Sequence, residues 1–240
     1  MADEAFDHII IGGGSAGGVL AARLTEDSDR RVLHLEAGPV DEDEMIKIPA
    51  GFSQLFKTRW DWNYETSAQK HLGGRRAYWP RGKTLGGSSS ITAMSYIRGN
   101  AADDDEWRDA YGATGWGYDD VLPYFVKSEA NQRLAGPYHG TQGPLVVEDR
   151  RFTHELTSAF VESAVAAGLK QNDDFNGATQ EGAGVYQVTN RRGERWSVAD
   201  AYIRPAMGRP NLTVRTEAFV TRILIEHGRA TGVAYRKHGQ

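Results

Sequence analysis

The chain has 240 residues, 40% hydrophobic and 25% charged, an ordinary balance for a globular protein of one or two domains. Its formal charge of -4 leaves no basic footprint for nucleic acid, since Arg75, Arg76, Arg81 and Lys83 make only a local patch. The lack of cysteine excludes disulfides, thiolate catalysis and thiolate-bound metals. No apolar run is long enough to predict a transmembrane segment, and the acidic opening MADEAFD, unlike a secretory leader, leads us to expect a cytoplasmic location.

Phe6, Ile9, Ile10 and Ile11 form a short apolar run, which predicts a parallel strand buried on both faces. The run passes into GGGSAGG, after which Ala16, Val19, Leu20, Ala21 and Leu24 recur at helical spacing; a second apolar run, Val32 to Leu35, ends at Glu36. Strand, glycine turn, helix and strand within about thirty residues are the setting of a dinucleotide-binding unit. Gly12 then permits the tight turn, Gly14 lets the main chain approach a diphosphate, and Gly17 lets the helix lie close to the strand. Amides at the helix start, at Ser15 and Ala16, face the anion. Glu36 is placed to accept hydrogen bonds from adenosine ribose hydroxyls, and the small Ala37 and Gly38 suit close passage beside a cofactor. A glycine turn that merely joins two buried elements is the plain alternative, disfavoured by strand, helix and acid together. These residues alone leave NAD and FAD both open.

Trp60, Trp62 and Tyr64 alternate in WDWNYETSAQ and predict a half-buried strand whose aromatics pack in the core, an aromatic wall beside a bound cofactor being the alternative. RGKTLGGSSSITAMSYIRGN supplies a second glycine turn, with Gly82, Gly86 and Gly87 ahead of Ser88, Ser89 and Ser90. Two such turns exceed the needs of a mononucleotide. A long dinucleotide with a second ring system would use both, the first at the diphosphate and the second at the far end. Residues 105–125 predict a short helix and, after glycines, a second helical turn interrupted by Pro123, with Asp119 and Asp120 at a helix N-terminus rather than a metal site. From Thr153 an amphipathic helix carries Leu156, Phe160, Val161, Ala164, Val165 and Leu169, with Gly168 near its end. The charges of Arg191, Arg192 and Arg195 read as a solvated loop. Leu212 to Arg215, Ala218 to Ile225 and Ala230 to Arg236 predict three strands of a β-meander with turns at Glu217 and at His227-Gly228.

In this order, DHIIIGGGSAGGVLAARLTED, LEAG, RGKTLGGSSSITAMSYIRGN, EWRDAYGATGWGYDDVLPYF, YHGTQGPLVV, RWSVADAYIRPAMGRPNLTV and VTRILIEHGRATGVAY span nearly the whole chain. They resemble segments of the glucose-methanol-choline family of flavin oxidoreductases, especially its bacterial choline-dehydrogenase-like members. The resemblance implies FAD and an α/β fold: a Rossmann-like FAD-binding domain with a parallel sheet and β-meander, and the start of an α+β substrate domain. Residues 1–150 would begin the FAD domain, 151–190 the substrate domain, and 191–240 return to the FAD domain. It also implies that Arg81 and Lys83 help neutralise phosphate or orient their loop, that Leu85, Gly87 and Ser88 belong to the cofactor turn, and that Thr84 and the segment Thr92, Ala93, Met94 and Ser95 run along the isoalloxazine and ribityl part. Val220 would bond the adenine through its backbone.

Family members usually carry Asn or His where this chain has Thr92, and some attach FAD through a histidine where it has Ile91, so noncovalent FAD is expected. Relatives continue to a C-terminal histidine pair, or histidine and asparagine, that acts on the substrate. His139 and His238 are instead expected to be turn and surface residues, and no catalytic residue is assigned here. The expected function is the FAD-binding N-terminal part of an alcohol-oxidising enzyme, taking a small alcohol and a C-terminal half or complementing chain as partners. A non-catalytic FAD-binding subunit and an NAD-binding reductase are the alternatives.

Overall fold

The computed structural model describes residues 4–237. His238 and the first three residues of the acidic opening lie outside them. In chain order the elements are β1 (His8–Ile11), α1 (Ser15–Leu24), β2 (Val32–Leu35), α2 (Glu44–Lys47), β3 (Tyr64–Glu65), β4 (Tyr78–Trp79), α3 (Ala101–Asp109), α4 (Tyr118–Ser128), β5 (Glu129–Asn131), β6 (Leu145–Val147) and α5 (Glu155–Ala166). They continue with β7 (Asn190–Arg191), β8 (Glu194–Arg195), α6 (Arg204–Ala206), β9 (Leu212–Arg215), β10 (Ala218–Glu226) and β11 (Arg229–Lys237). Two compact units result, one of residues 1–93 with 195–240 and one of 94–194. These units divide the chain at 93/94 and 194/195. Among the described residues no helix is long and apolar enough to cross a membrane.

The first unit is built on a parallel sheet of order β1-β2-β9, in which Ile10 faces His34 and His34 faces Val214. All four residues of the central strand β2 are buried, as a strand covered on both faces requires. β1 does not meet that expectation: it is an edge strand in this sheet, and Ile11 is 48% exposed. Helix α1 buries Gly18, Ala21 and Ala22. A Cβ on Gly18 would lie 2.9 Å from Val198 Cγ2, so this glycine lets α1 pack closely on the segment leading into a π-helical turn, Ala199–Ile203.

The last three strands fall where alternation and turn residues put them, with Glu217, His227 and Gly228 all at positive φ. They do not form a meander. Strand β9 extends the parallel sheet, whereas among the described residues β10 and β11 pair only with each other. The cause lies at the crossing, where Glu217 N donates to Gly38 O and Ala218 N to Glu36 O, pinning the chain to the end of β2 before β10 departs.

Residues 60–64 are not one strand either. Asp61, 5% exposed, accepts amides from Lys57, Asn63 and Arg81 as well as the Tyr78 hydroxyl, and this bends the chain so that β3 keeps only two residues. Trp60 does pack in a core cluster with Ile46, Leu55 and Ile91, while Tyr64 is exposed and stacks on Trp62.

In the second unit, β5 and β6 are parallel neighbours and α3 is closed by Asn100, whose side chain accepts from Ala102 N. Pro123 does not interrupt α4. The carbonyl deprived of its N–H belongs to exposed Asp119 in the first turn, where water can serve it. Asp119 and Asp120 do occupy the N-terminal turn, and Asp120 accepts from Gly117 N.

His139 closes a turn with Gly136, as expected, and its ring is buried. It is 5% exposed, with Nδ1 3.1 Å from Glu129 Oε1 and Nε2 2.9 Å from Asp174 Oδ2. Glu129 in turn binds Arg98 Nη2 at 2.6 Å and Asn131 Nδ2 at 2.7 Å, so a buried polar network ties four segments of this unit together.

Candidate cofactor site

At the end of β1, Gly12 turns the chain at φ +100 and donates its amide to Leu35 O at 2.7 Å. Its carbonyl accepts from His34 Nε2 at 3.0 Å, which fixes the proton on that nitrogen. His34 is fully buried, and burial holds its imidazole below the ordinary range. A Cβ on Gly17 would stand 2.0 Å from the Gly12 carbonyl oxygen, so the expected close approach of helix and strand is real. Gly14, the residue before α1, offers no side chain to cap it, and no acid occupies its first turn; Ser15 and Ala16 there are exposed. By contrast α2, α3 and α5 are capped by Asp43, Asn100 and His154. A helix start that presents bare amides next to glycine suits an anion.

Glu36 closes this turn from below. Its Oε2 accepts Gly13 N at 2.6 Å and its Oε1 accepts Gly38 N at 2.7 Å. Burial pushes the carboxyl above its ordinary range, against the pull of the amides at Gly38, Gly13 and Ala37. With about four acceptor positions on its two oxygens, the carboxylate retains acceptor capacity beyond these amides.

The second turn is folded onto the first. Gly86 N donates to Gly13 O at 2.8 Å, and a Cβ on Gly87 would fall 2.6 Å from Gly14 Cα. The two turns therefore meet instead of standing at opposite ends of a ligand. The reason is local: Gly86 and Gly87 both take positive φ, which folds residues 86–90 back toward residue 13. Hydroxyls complete the turn. Ser88 Oγ accepts Gly82 N, Ser89 Oγ donates to Gly86 O, Ser90 Oγ donates to Leu85 O, and Thr92 N returns to Ser88 O.

Other expected site residues divide by burial. Thr84 has no exposed surface and gives its hydroxyl to Pro39 O, and Leu85, 1% exposed, packs with Ala199 and Ile203. Their side chains hold the turn down and reach no open surface, so any part of Thr84 and Leu85 in the cofactor turn is played by the main chain. Arg81 is exposed, bonded to Pro80 O and lying over Trp79; Thr92 and Ala93 are exposed, and Ala37 is half-buried. Val220 pairs with Tyr235 and packs near Leu33 and Leu35. Met94 and Ser95 fall in the second unit: Met94, at φ +63, accepts Thr189 N on its carbonyl, and Ser95 bridges Val188.

Three residues escaped the sequence reading. His34 sat inside an apolar run, and Asp61 was hidden between the tryptophans. Arg195 is not part of a solvated loop: it is 1% exposed, and only the small and apolar residues that follow it, Ser197, Val198 and Ala199, hinted at an interior.

With turn, uncapped helix, terminal acid and folded-back serine turn in place, the chain can be set beside known proteins. The GMC oxidoreductase family profile matches residues 6–240. The chain belongs to the GMC oxidoreductase family. An alcohol dehydrogenase [acceptor] of Pseudomonas putida is 47% identical over 232 residues, covering 96% of this chain and 42% of that protein. Human mitochondrial choline dehydrogenase is 44% identical over 245 residues, covering 99% of this chain and 41% of that protein. The pyridoxine 4-oxidase structure from Mesorbium loti superposes with a TM-score of 0.90 at 36% identity, covering 98% of this chain and 48% of that one. This GMC chain thus spans less than half the length of these relatives, and its α/β architecture with a parallel sheet superposes on the pyridoxine 4-oxidase.

Proposed function

We propose that this chain is the FAD-binding part of an enzyme that oxidises alcohols. The observation that carries the reading is the Gly86 N to Gly13 O bond, which joins two glycine turns directly beside the uncapped start of α1. A single backbone cradle results, bare of side chains, where a diphosphate meets amide donors. Gly12, Gly14 and Gly17 shape the cradle, Ser15 and Ala16 offer amides, and the remaining acceptor capacity of Glu36 takes ribose hydroxyls. Exposed Thr92 and Ala93 carry the surface onward from Gly87 and Ser88 toward the flavin, with Met94 and Ser95 next in the chain. Val220 serves the adenine by its backbone. The unit of residues 1–93 and 195–240 is the FAD domain in this reading, and residues 94–194 begin the substrate domain.

When bound, FAD supplies the acceptor for hydride from an alcohol carbon. This chain's own work is to bind and orient that group. We assign it no catalytic residue and place the proton-accepting side chain in a C-terminal half or complementing chain. Binding is noncovalent: Ile91, fully buried in the cluster with Ile46, Leu55 and Trp60, has no nucleophile to offer. A cytoplasmic location completes the reading; cell fractionation tests it. Calorimetric titration of the purified chain with FAD and NAD tests the whole. Saturable FAD binding released by denaturation, with no heat from NAD, is expected; NAD binding without FAD binding would give the reductase instead.

A further inference from the structure

Behind the second glycine turn runs RWSVAD, residues 195–200, and it is bonded to the turn at several points. Arg195 donates through Nε to Ile46 O at 2.7 Å and through Nη1 to Ser89 O at 3.0 Å. Val198 N donates to Ser89 Oγ at 3.1 Å, and that same hydroxyl donates to Gly86 O at 2.6 Å. Gly86 then reaches Gly13. A continuous path of hydrogen bonds therefore leads from the buried guanidinium, through Ser89, to the contact that closes the cradle.

Arginine is an expensive choice for a purely structural peg. Among the described residues no carboxylate lies within ion-pair distance of it. Nearby Asp200 is engaged by Lys47 at 2.7 Å and Arg204 at 2.6 Å, and Asp41 by the same two cations. Nη2 is buried without a partner. Burial brings the guanidinium down to about 10, the attraction of Asp200 opposing, so it stays charged at neutral pH. A desolvated guanidinium costs stability, so the two carbonyls it binds, Ile46 O and Ser89 O, are held where it needs them.

We propose that Arg195 is a positioning residue for the flavin nucleotide: through Ser89 it holds the second glycine turn against the first. This rests on the FAD reading above. The planar fork spans two carbonyls on separate segments, which no lysine can do in the same geometry.

The test uses the whole chain, with FAD as probe, in wild type, Arg195→Met, Arg195→Lys and Ser89→Ala. Dissociation constants come from flavin fluorescence, and amide exchange at residues 86–88 is read without FAD. Arg195→Met is expected to weaken FAD about tenfold or more and to speed exchange at Gly86, with lysine intermediate because it keeps a donor but loses the fork. Wild-type affinity and exchange in Arg195→Met, even with a lowered melting temperature, would overturn the proposal and leave the FAD reading standing. No FAD binding by wild type would overturn both. If Arg195→Met does not fold, Ser89→Ala decides: weaker FAD binding supports the path through Ser89, and unchanged binding overturns it.

Discussion

Glu36 spends both carboxylate oxygens on main-chain amides, Gly13 and Gly38, before any ligand arrives. Glu36→Gln would aim an NH2 group at one of those donors, and a loss of about 1–3 kcal/mol of stability is expected by urea denaturation. At Asp61, burial pushes the carboxyl up, but the Tyr78 hydroxyl and the Lys57, Asn63 and Arg81 amides bring it below its ordinary range. Its contribution is therefore full above the unfolded value of 3.8 and fades as pH falls through the lowered one. His34 works in a different window. Burial depresses it, so the unfolded state binds the proton more readily and stability falls as the pH drops through 6.5. Between about pH 7.5 and 5.5 the urea midpoint of wild type is expected to fall more than that of His34→Gln, which keeps a donor for Gly12 O. The position of Glu36 just after β2 was legible in the sequence, whereas its bonds to the Gly13 and Gly38 amides were not. Asp61, Arg195 and His139 were not legible either, since their tasks depend on partners far along the chain, and a charge in a polar stretch looks solvated until burial is known.

At the level of elements, local pattern carried most of the fold. Strands β9, β10 and β11 were legible because alternation and turn residues are local signals, and Glu217, His227 and Gly228 do turn the chain at positive φ. The strand expected over residues 60–64 failed because Asp61 competes for the amides that a ladder would use. Likewise the meeting of the two glycine turns was not legible, because the contacts of Gly86 with Gly13 and of Gly87 with Gly14 join segments more than seventy residues apart. That contact makes a clear prediction. Gly17→Ala would press a Cβ to 2.0 Å from Gly12 O, and Gly87→Ala to 2.6 Å from Gly14 Cα, so each is expected to cost about 1–3 kcal/mol and to weaken FAD binding. Gly208, where a Cβ meets nothing within 4 Å, is the control, and alanine there is expected to leave both properties unchanged. Urea denaturation and FAD titration check the set.

The whole chain leaves apolar surface uncovered. In one unit Ile11 and Leu20 are 48% and 51% exposed beside the edge strand β1, and in the other Leu156 and Phe160 on α5 are 70% and 75% exposed. Relatives with more than twice this length have further chain with which to cover such faces. The isolated chain is expected to self-associate on size-exclusion chromatography, and a stable monomer across a concentration series would count against that expectation. The central claim is narrower: two joined glycine turns and the bare start of α1 form one cradle for FAD. Amide hydrogen exchange of the chain, with and without saturating FAD, measures it most directly. Protection concentrated at residues 12–17 and 86–88 is the predicted result, and unchanged exchange at both turns with FAD bound would contradict it.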